Sequence, residues 1–303
     1  MLAGHILDFS QHCTNGRSPL PRAAVVALPA STSKTATQEN FPVASLLLPA
    51  ATRARVMAFY HFARIADDIA DNPALTADSK ILRLDALEET LCGRHEANEY
   101  TESAQGLRDA VGGDEVLLGH AAQLLQAFRR DAVSDHCRDW GDLMLYCQFS
   151  AAPVGRFLLA LHGENPTATT ATDSLCAALQ VLNHIQDCGE DYRVLGRVYV
   201  PRVWLAGHGI DNDAFLDEAT SPALRQVFDL TLDHVDALLD MARPLPSRIR
   251  DHRLRLEAAV TLTVAERLSE RLRRRDPLAS KVRLTAMGYA GAVLTGLWRG
   301  LRA

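Results

Sequence analysis

The chain has 303 residues, 48% of them apolar and 23% charged, a globular composition with enough hydrophobic side chains for a large core. Its formal charge of −5 gives no general attraction for nucleic acid, so an anionic ligand has to be met by a local basic site. Six cysteines (Cys13, Cys92, Cys137, Cys147, Cys176, Cys188) are scattered without a CxxC pair and read as reduced and mostly buried, as in a cytoplasmic protein.

Residues 1–38 read as an irregular N-terminal segment. "MLAGHILDFSQHC" has no basic leader and carries His5 and Asp8, so no secretory signal is expected. "NGRSPLPR" is turn-rich and "STSKTATQEN" is a polar loop. Residues 39–303 read as one all-α domain, with helical periodicity dominant from Pro49 onward. "ATRARVMAFYHFARIADDIAD" stops at Asn72-Pro73. The same spacing recurs in "DSKILRLDALEETLCGRHEA", "DEVLLGHAAQLLQAFRRDAV" and "WGDLMLYCQFSAAPVGRFLLALHG". It continues through "SLCAALQVLNHIQDCGEDYRV", "SPALRQVFDLTLDHVDALLDMARPL" and "RLEAAVTLTVAERLSERL". The best extended candidate is "GRVYVP", 196 to 201, and several helices are apolar on most faces, as inner helices of a bundle would be.

Two lesser features have bland readings. "SDHCRDW" contains Asp135, His136, Cys137 and Asp139 but no second ligand pair at zinc-like spacing, which argues against a metal site. No uncharged apolar run reaches bilayer-spanning length. The nearest, "LTAMGYAGAVLTGLW", reads as a buried terminal helix. The basic "ERLRRRD" beside it makes shallow contact with an anionic membrane surface the secondary expectation.

The informative chemistry lies in two acidic helices. Tyr60, Arg64, Asp67 and Asp71 fall on one face at offsets 0, 4, 7 and 11, with Asp68 about 100° round. Carboxylates gathered near a helix C-terminus oppose the macrodipole and repel each other, unlike those of an ordinary acidic helix start. Over a hundred residues later Gln180, Asn183, Asp187 and Asp191 form a second such stripe at offsets 0, 3, 7 and 11. Carboxylate and amide oxygens are hard donors that suit Mg²⁺ or Mn²⁺, and Mg²⁺ characteristically shares its sphere with water and substrate phosphates. Two such helices facing each other leave room for a diphosphate, with Arg64, Arg193 and Arg197 near enough in sequence to add charge. Each arginine also reads as a surface or ion-pair residue, and Arg197 depends most on the fold. His61 and His184 point away from the stripes by helical phase and read as packing residues.

These pieces resemble the squalene/phytoene synthase family: "LLLP" (46–49), "FYHFARIADDIAD" (59–71), "YCQFSAAPVGR" (146–156) and "LNHIQDCGEDYRVLGRVYVP" (182–201), in family order. The resemblance spans roughly Asn40 to Arg283. It implies an all-α bundle of the isoprenoid synthase type around a central substrate cavity, acting on a prenyl diphosphate. Three features look like the bacterial hydroxysqualene synthase subtype of hopanoid pathways: "QENFPVASLLLP" (38–49), Gln186 where many members carry arginine, and "RRRDPLA" (273–279). That subtype implies Mg²⁺-dependent ionisation of presqualene diphosphate, rearrangement and capture by water, with no nicotinamide cofactor. By the same resemblance Asp67, Asp68, Asp71, Asn183, Asp187 and Asp191 hold metal. Arg64 and Tyr146 are the catalytic candidates; Asn40, Tyr60, Phe149, Gly155, Gln186, Arg193 and Arg197 are the substrate-binding ones. Tyr146 reads equally as a core tyrosine.

Two alternatives stand beside this reading. One is condensation of farnesyl diphosphate to presqualene diphosphate, squalene or phytoene. The other is a catalytically silent relative serving as a binding or assembly factor, against which the complete set of five aspartates argues. The expected setting is cytoplasmic or at the inner face of the membrane, without nucleic acid, and with handover to other squalene-pathway enzymes.

Overall fold

The computed structural model describes Cys13 and residues 47–303; the irregular segment 1–38 (Cys13 apart) and Asn40 lie outside the described residues. The described chain is helical throughout. The helices are α1 (Ala50–Asp71), α2 (Ala77–Leu91), α3 (Glu102–Ala110), α4 (Glu115–Asp131), α5 (Trp140–Ser150) and α6 (Ala152–Leu161). They continue with α7 (Thr169–Leu195), α8 (Arg202–Gly207), α9 (Pro222–Ala242), α10 (Leu245–Arg248), α11 (His252–Arg274) and α12 (Ala286–Arg302). Several starts follow from capping side chains: Asp114 accepts from the Val116 and Leu117 amides, Asp139 from Asp142, Ser221 from Leu224 and Asp251 from Leu254.

α7 is the inner helix, packing against α5, α6, α9 and α11. Its nearly continuous small and apolar residues, from Ala171 through Leu175, Ala178 and Leu182 to Ile185, are buried against these neighbours. A second hydrophobic cluster joins α1 to α2, α3 and α4. α6 links the clusters: its Phe157 is 1% exposed and stacks on Phe59 of α1 at 4.1 Å between ring centroids. Burying one such ring stabilises the fold by about 2–3 kcal/mol.

Four local expectations change. The run 140–161 is two helices, broken at Ala151 (φ −124°, ψ −46°), because Pro153 has no amide to continue the ladder and suits a helix start. This stretch has the length and hydropathy of a membrane span, yet half of the apolar window is buried within the bundle and the break makes it two short helices. "GRVYVP" is extended but forms a single bridge, His136 with Val198, instead of a strand, and so ties the "SDHCRDW" loop to the end of α7. Cys13 and Cys92, 79 residues apart, are joined by a disulfide, which corrects the expectation that all six cysteines are reduced; Cys137, Cys147, Cys176 and Cys188 are free. The two bonded positions are distant in sequence, so no spacing could have paired them. Finally, α12 lies on α11 at the surface with one face outward, instead of being buried.

Candidate active site

An apolar cavity of about 310 Å³ lies between α1, α6, α7 and α11, at the small end of the range for small-molecule sites. Phe59 and Tyr60 of α1, Leu175, Gln180 and Asn183 of α7, and Leu254 and Glu257 of α11 line it. Tyr60 and Asn183 thus place both acidic stripes on cavity-facing sides of their helices. At 1.5 Å per residue, Asp67 lies about 10 Å beyond Tyr60 and Asp187 about 6 Å beyond Asn183, towards the C-terminal ends of the two helices.

At those ends each carboxylate cluster meets a cation. Arg64 Nη1 donates to Asp67 Oδ2 at 2.7 Å and its Nη2 to Asp68 Oδ1 at 3.0 Å. Asp71 receives Arg197 Nη1 at 2.5 Å. Lys281 Nζ lies 2.7 Å from Asp187 Oδ1. Arg197 is the hub. Gly196, at φ +67°, ends α7 in the left-handed region and turns the chain back so that Arg197 enters the interior. There its Nη2 donates to the carbonyls of Ala70 (3.1 Å) and Asp131 (3.0 Å), joining the C-terminal ends of α1 and α4 to the chain just past α7. A guanidinium among helix-terminal carbonyls satisfies the macrodipoles that the acids oppose.

Two groups outside the sequence motifs complete this network. Asp131, at the end of α4, accepts the Tyr146 hydroxyl at 2.8 Å, and Tyr199 packs against both Tyr146 (5.4 Å) and His184 (3.7 Å). Burial pushes the Asp131 carboxyl up to about 6, against the pull of Arg197 and the Tyr146 hydrogen bond. Burial first, then the Asp71 charge, push Asp67 up to about 8 although Arg64 favours its ionised form. His184 is driven down to about 3 by burial, so it is a neutral packing ring beside the acids. His61, by contrast, is exposed, which corrects its expected packing role.

The remaining candidates separate clearly. Tyr146 is 5% exposed and belongs to the polar network beside the cavity; neither it nor Phe149 is among the lining residues. Gly155 lines the cavity and sets the α6–α7 contact: a Cβ there would come within 2.3 Å of Thr172 Cγ2 and 2.7 Å of Cys176 Sγ. Gln186 is buried and donates to the Val282 carbonyl at 2.5 Å, anchoring the 276–285 segment onto α7, and it is not a lining residue either. Arg193 is solvent-exposed in the last turn of α7. Asn40 lies outside the described residues. Sequence reading missed Asp131, Lys281 and Glu257. None shares a helix face with an acidic motif, and only the tertiary fold brings them near.

Among the described residues no three carboxylate, histidine or cysteine side chains are gathered closely enough to hold a metal ion alone. The donor set nonetheless fits a hard divalent cation in kind. Burial and the Asp71 charge favour the protonated form of the Asp67 carboxyl, and a divalent cation would compete with that proton for its oxygens.

The family model described as squalene/phytoene synthase matches residues 34–288. A hydroxysqualene synthase from Rhodopseudomonas palustris is 43% identical over 256 residues, 84% of this chain and 87% of that protein. One from Sinorhizobium fredii is 40% identical, over 82% of this chain and 85% of that protein. The crystal structure of squalene synthase HpnC from Alicyclobacillus acidocaldarius superposes with a TM-score of 0.67 at 30% identity, covering 79% of this chain and 90% of that one. A dehydrosqualene synthase structure has a TM-score of 0.74 at 19% identity, a likeness of fold.

Proposed function

The chain belongs to the squalene/phytoene synthase family, and from that premise we propose that it ionises presqualene diphosphate and captures the rearranged cation with water, giving hydroxysqualene and diphosphate. The observation that carries this is the convergence of both acidic helices, joined through Arg197, at one apolar cavity. That the chain is an enzyme acting on a prenyl diphosphate follows from the family and from the hydroxysqualene and squalene synthases that match most of its length.

In this reading the hydrocarbon tails occupy the apolar space between α1, α6, α7 and α11, and the diphosphate lies at the C-terminal ends of α1 and α7. Asp67, Asp68 and Asp71 on one side and Asn183, Asp187 and Asp191 on the other would hold Mg²⁺, which supplies charge neutralisation of the leaving diphosphate. Arg64, Arg197 and Lys281 keep the acids oriented and lower their mutual repulsion. The scissile C–O bond breaks with its electron pair leaving on the diphosphate. The apolar walls exclude bulk water while the carbon skeleton rearranges. One water then forms the new C–O bond and loses a proton.

The test incubates purified protein and Mg²⁺, without reductant, separately with presqualene diphosphate and with farnesyl diphosphate. Hydroxysqualene is expected from the first and no turnover from the second. Consumption of farnesyl diphosphate would move the assignment to a condensing synthase, and inertness towards both would remove the catalytic reading.

A further inference from the structure

We propose that the outer face of α12 is a membrane-docking surface that recognises anionic lipid. The orientation of this helix is fixed by its inner side. Ala292, Gly296 and Gly300 are buried against α11, and a Cβ at Gly296 would come within 2.5 Å of the Val260 Cα, so only glycine allows the two backbones this close. Tyr289, Val293 and Leu297 pack beside these small residues against α11, which leaves a separate set of large apolar side chains facing out. Met287 (86% exposed), Leu294 (69%), Trp298 (53%) and Leu301 (65%) recur at spacings of 7, 4 and 3, which places them on one stripe. A soluble surface scatters such residues singly, whereas here four of them line one helix.

The charge around the stripe selects the occupant. The chain as a whole carries −5, yet residues 277–303 contain no acid and four cations, Lys281, Arg283, Arg299 and Arg302. Lys281 and Arg299 are paired with Asp187 and Glu266, which leaves Arg283 and Arg302 as the exposed cations of this segment outside those pairs. The Arg302 guanidinium lies 4.0 Å from the Trp298 ring centroid, an amphipathic pair suited to the headgroup level of a bilayer. A second copy of the chain is a poor partner for this face, because an isologous contact would bring basic ends together with no acid on either α12. An anionic bilayer supplies both the apolar layer and the complementary charge.

Co-flotation of the full chain with vesicles tests this. Partitioning onto phosphatidylcholine vesicles with about 30% phosphatidylglycerol should exceed that onto pure phosphatidylcholine by roughly tenfold or more and fall with added salt. Leu294→Glu combined with Trp298→Glu should abolish binding, and Arg283→Glu with Arg302→Glu should remove the preference for anionic lipid. All four positions are exposed, so the thermal midpoint should stay within about 2 °C of the parent. Wild-type protein that remains in the soluble fraction, or an unaltered partition in the Leu294/Trp298 variant, would overturn the proposal. So would a solution dimer that dissolves on Trp298→Glu without any vesicle binding, which would assign the face to a second copy.

Discussion

Arg197 Nη1 sits 2.5 Å from Oδ1 of Asp71, a residue 126 positions earlier, and this contact ties the end of one acidic helix to the exit of the other. Breaking a buried pair costs about 3–5 kcal/mol when one charge is stranded. Asp71 keeps some contact with water, so Arg197→Met should cost roughly 3 kcal/mol, read as a lower urea midpoint at unchanged slope. Arg197→Lys retains the charge but loses the fork that also reaches Ala70 and Asp131, and should fall between the two. Equal midpoints for all three proteins would show that the pair does not hold the helix ends together.

Gly155 sets how closely α6 approaches α7. Gly155→Ala places a methyl group against Thr172 Cγ2 and Cys176 Sγ and should destabilise by about 1–3 kcal/mol. Thr172→Ser in the same chain removes the nearest obstructing carbon and should restore part of the loss. Calorimetric midpoints of the single and double variants check this; no recovery in the double variant would contradict the close-approach explanation.

His120 provides a pH signature remote from the site. Burial, aided by the Arg156 charge, lowers its folded-state value to about 4, while the unfolded value stays near 6.5. Below 6.5 the unfolded chain takes up a proton that the folded chain refuses. Stability is therefore full above about pH 6.5 and is lost as pH falls towards 4, by at most about 3 kcal/mol. Urea titrations across that window should show a shallower pH dependence in His120→Gln, and identical slopes would contradict this.

Glu257 is the one acidic side chain among the described residues lining the apolar cavity, and it is 7% exposed. In the proposed reaction, which ends with water attacking a carbocation, a carboxylate in the wall would be suited to hold that water and take its proton. Glu257→Leu should lower the ratio of alcohol to hydrocarbon products on the order of 10²-fold, within the usual range for losing a general base, while diphosphate release continues. An unchanged ratio on chromatography of the lipid extract would exclude Glu257 from the capture step.

Helices were legible because their apolar residues recur at helical spacing and their ends carry local chemistry, as at Asn72-Pro73 after α1. The acidic stripes were legible for the same reason, since Asp67 and Asp71 or Asp187 and Asp191 are one turn apart on one face. What sequence could not give is the set of groups meeting them from elsewhere. Asp131 sits in an unremarkable "FRRDAV", and Lys281 reaches Asp187 only because the segment after α11 folds back onto α7, held by Gln186 on the Val282 carbonyl. Arg197 could be named as a candidate but not given a place, because its role depends on the turn at Gly196. The break at Ala151 was visible as Pro153, but the flanking apolar periodicity masked it.

In the proposed mechanism two carboxylate clusters grip one diphosphate through divalent cation, and isothermal titration of inorganic diphosphate in the presence and absence of Mg²⁺ measures that directly. Wild-type protein should bind diphosphate only with Mg²⁺, and Asp67→Asn and Asp187→Asn should each weaken binding by roughly tenfold or more while keeping the helical circular-dichroism signal. Undiminished, Mg²⁺-dependent binding in both variants, or wild-type binding that ignores Mg²⁺, would contradict it.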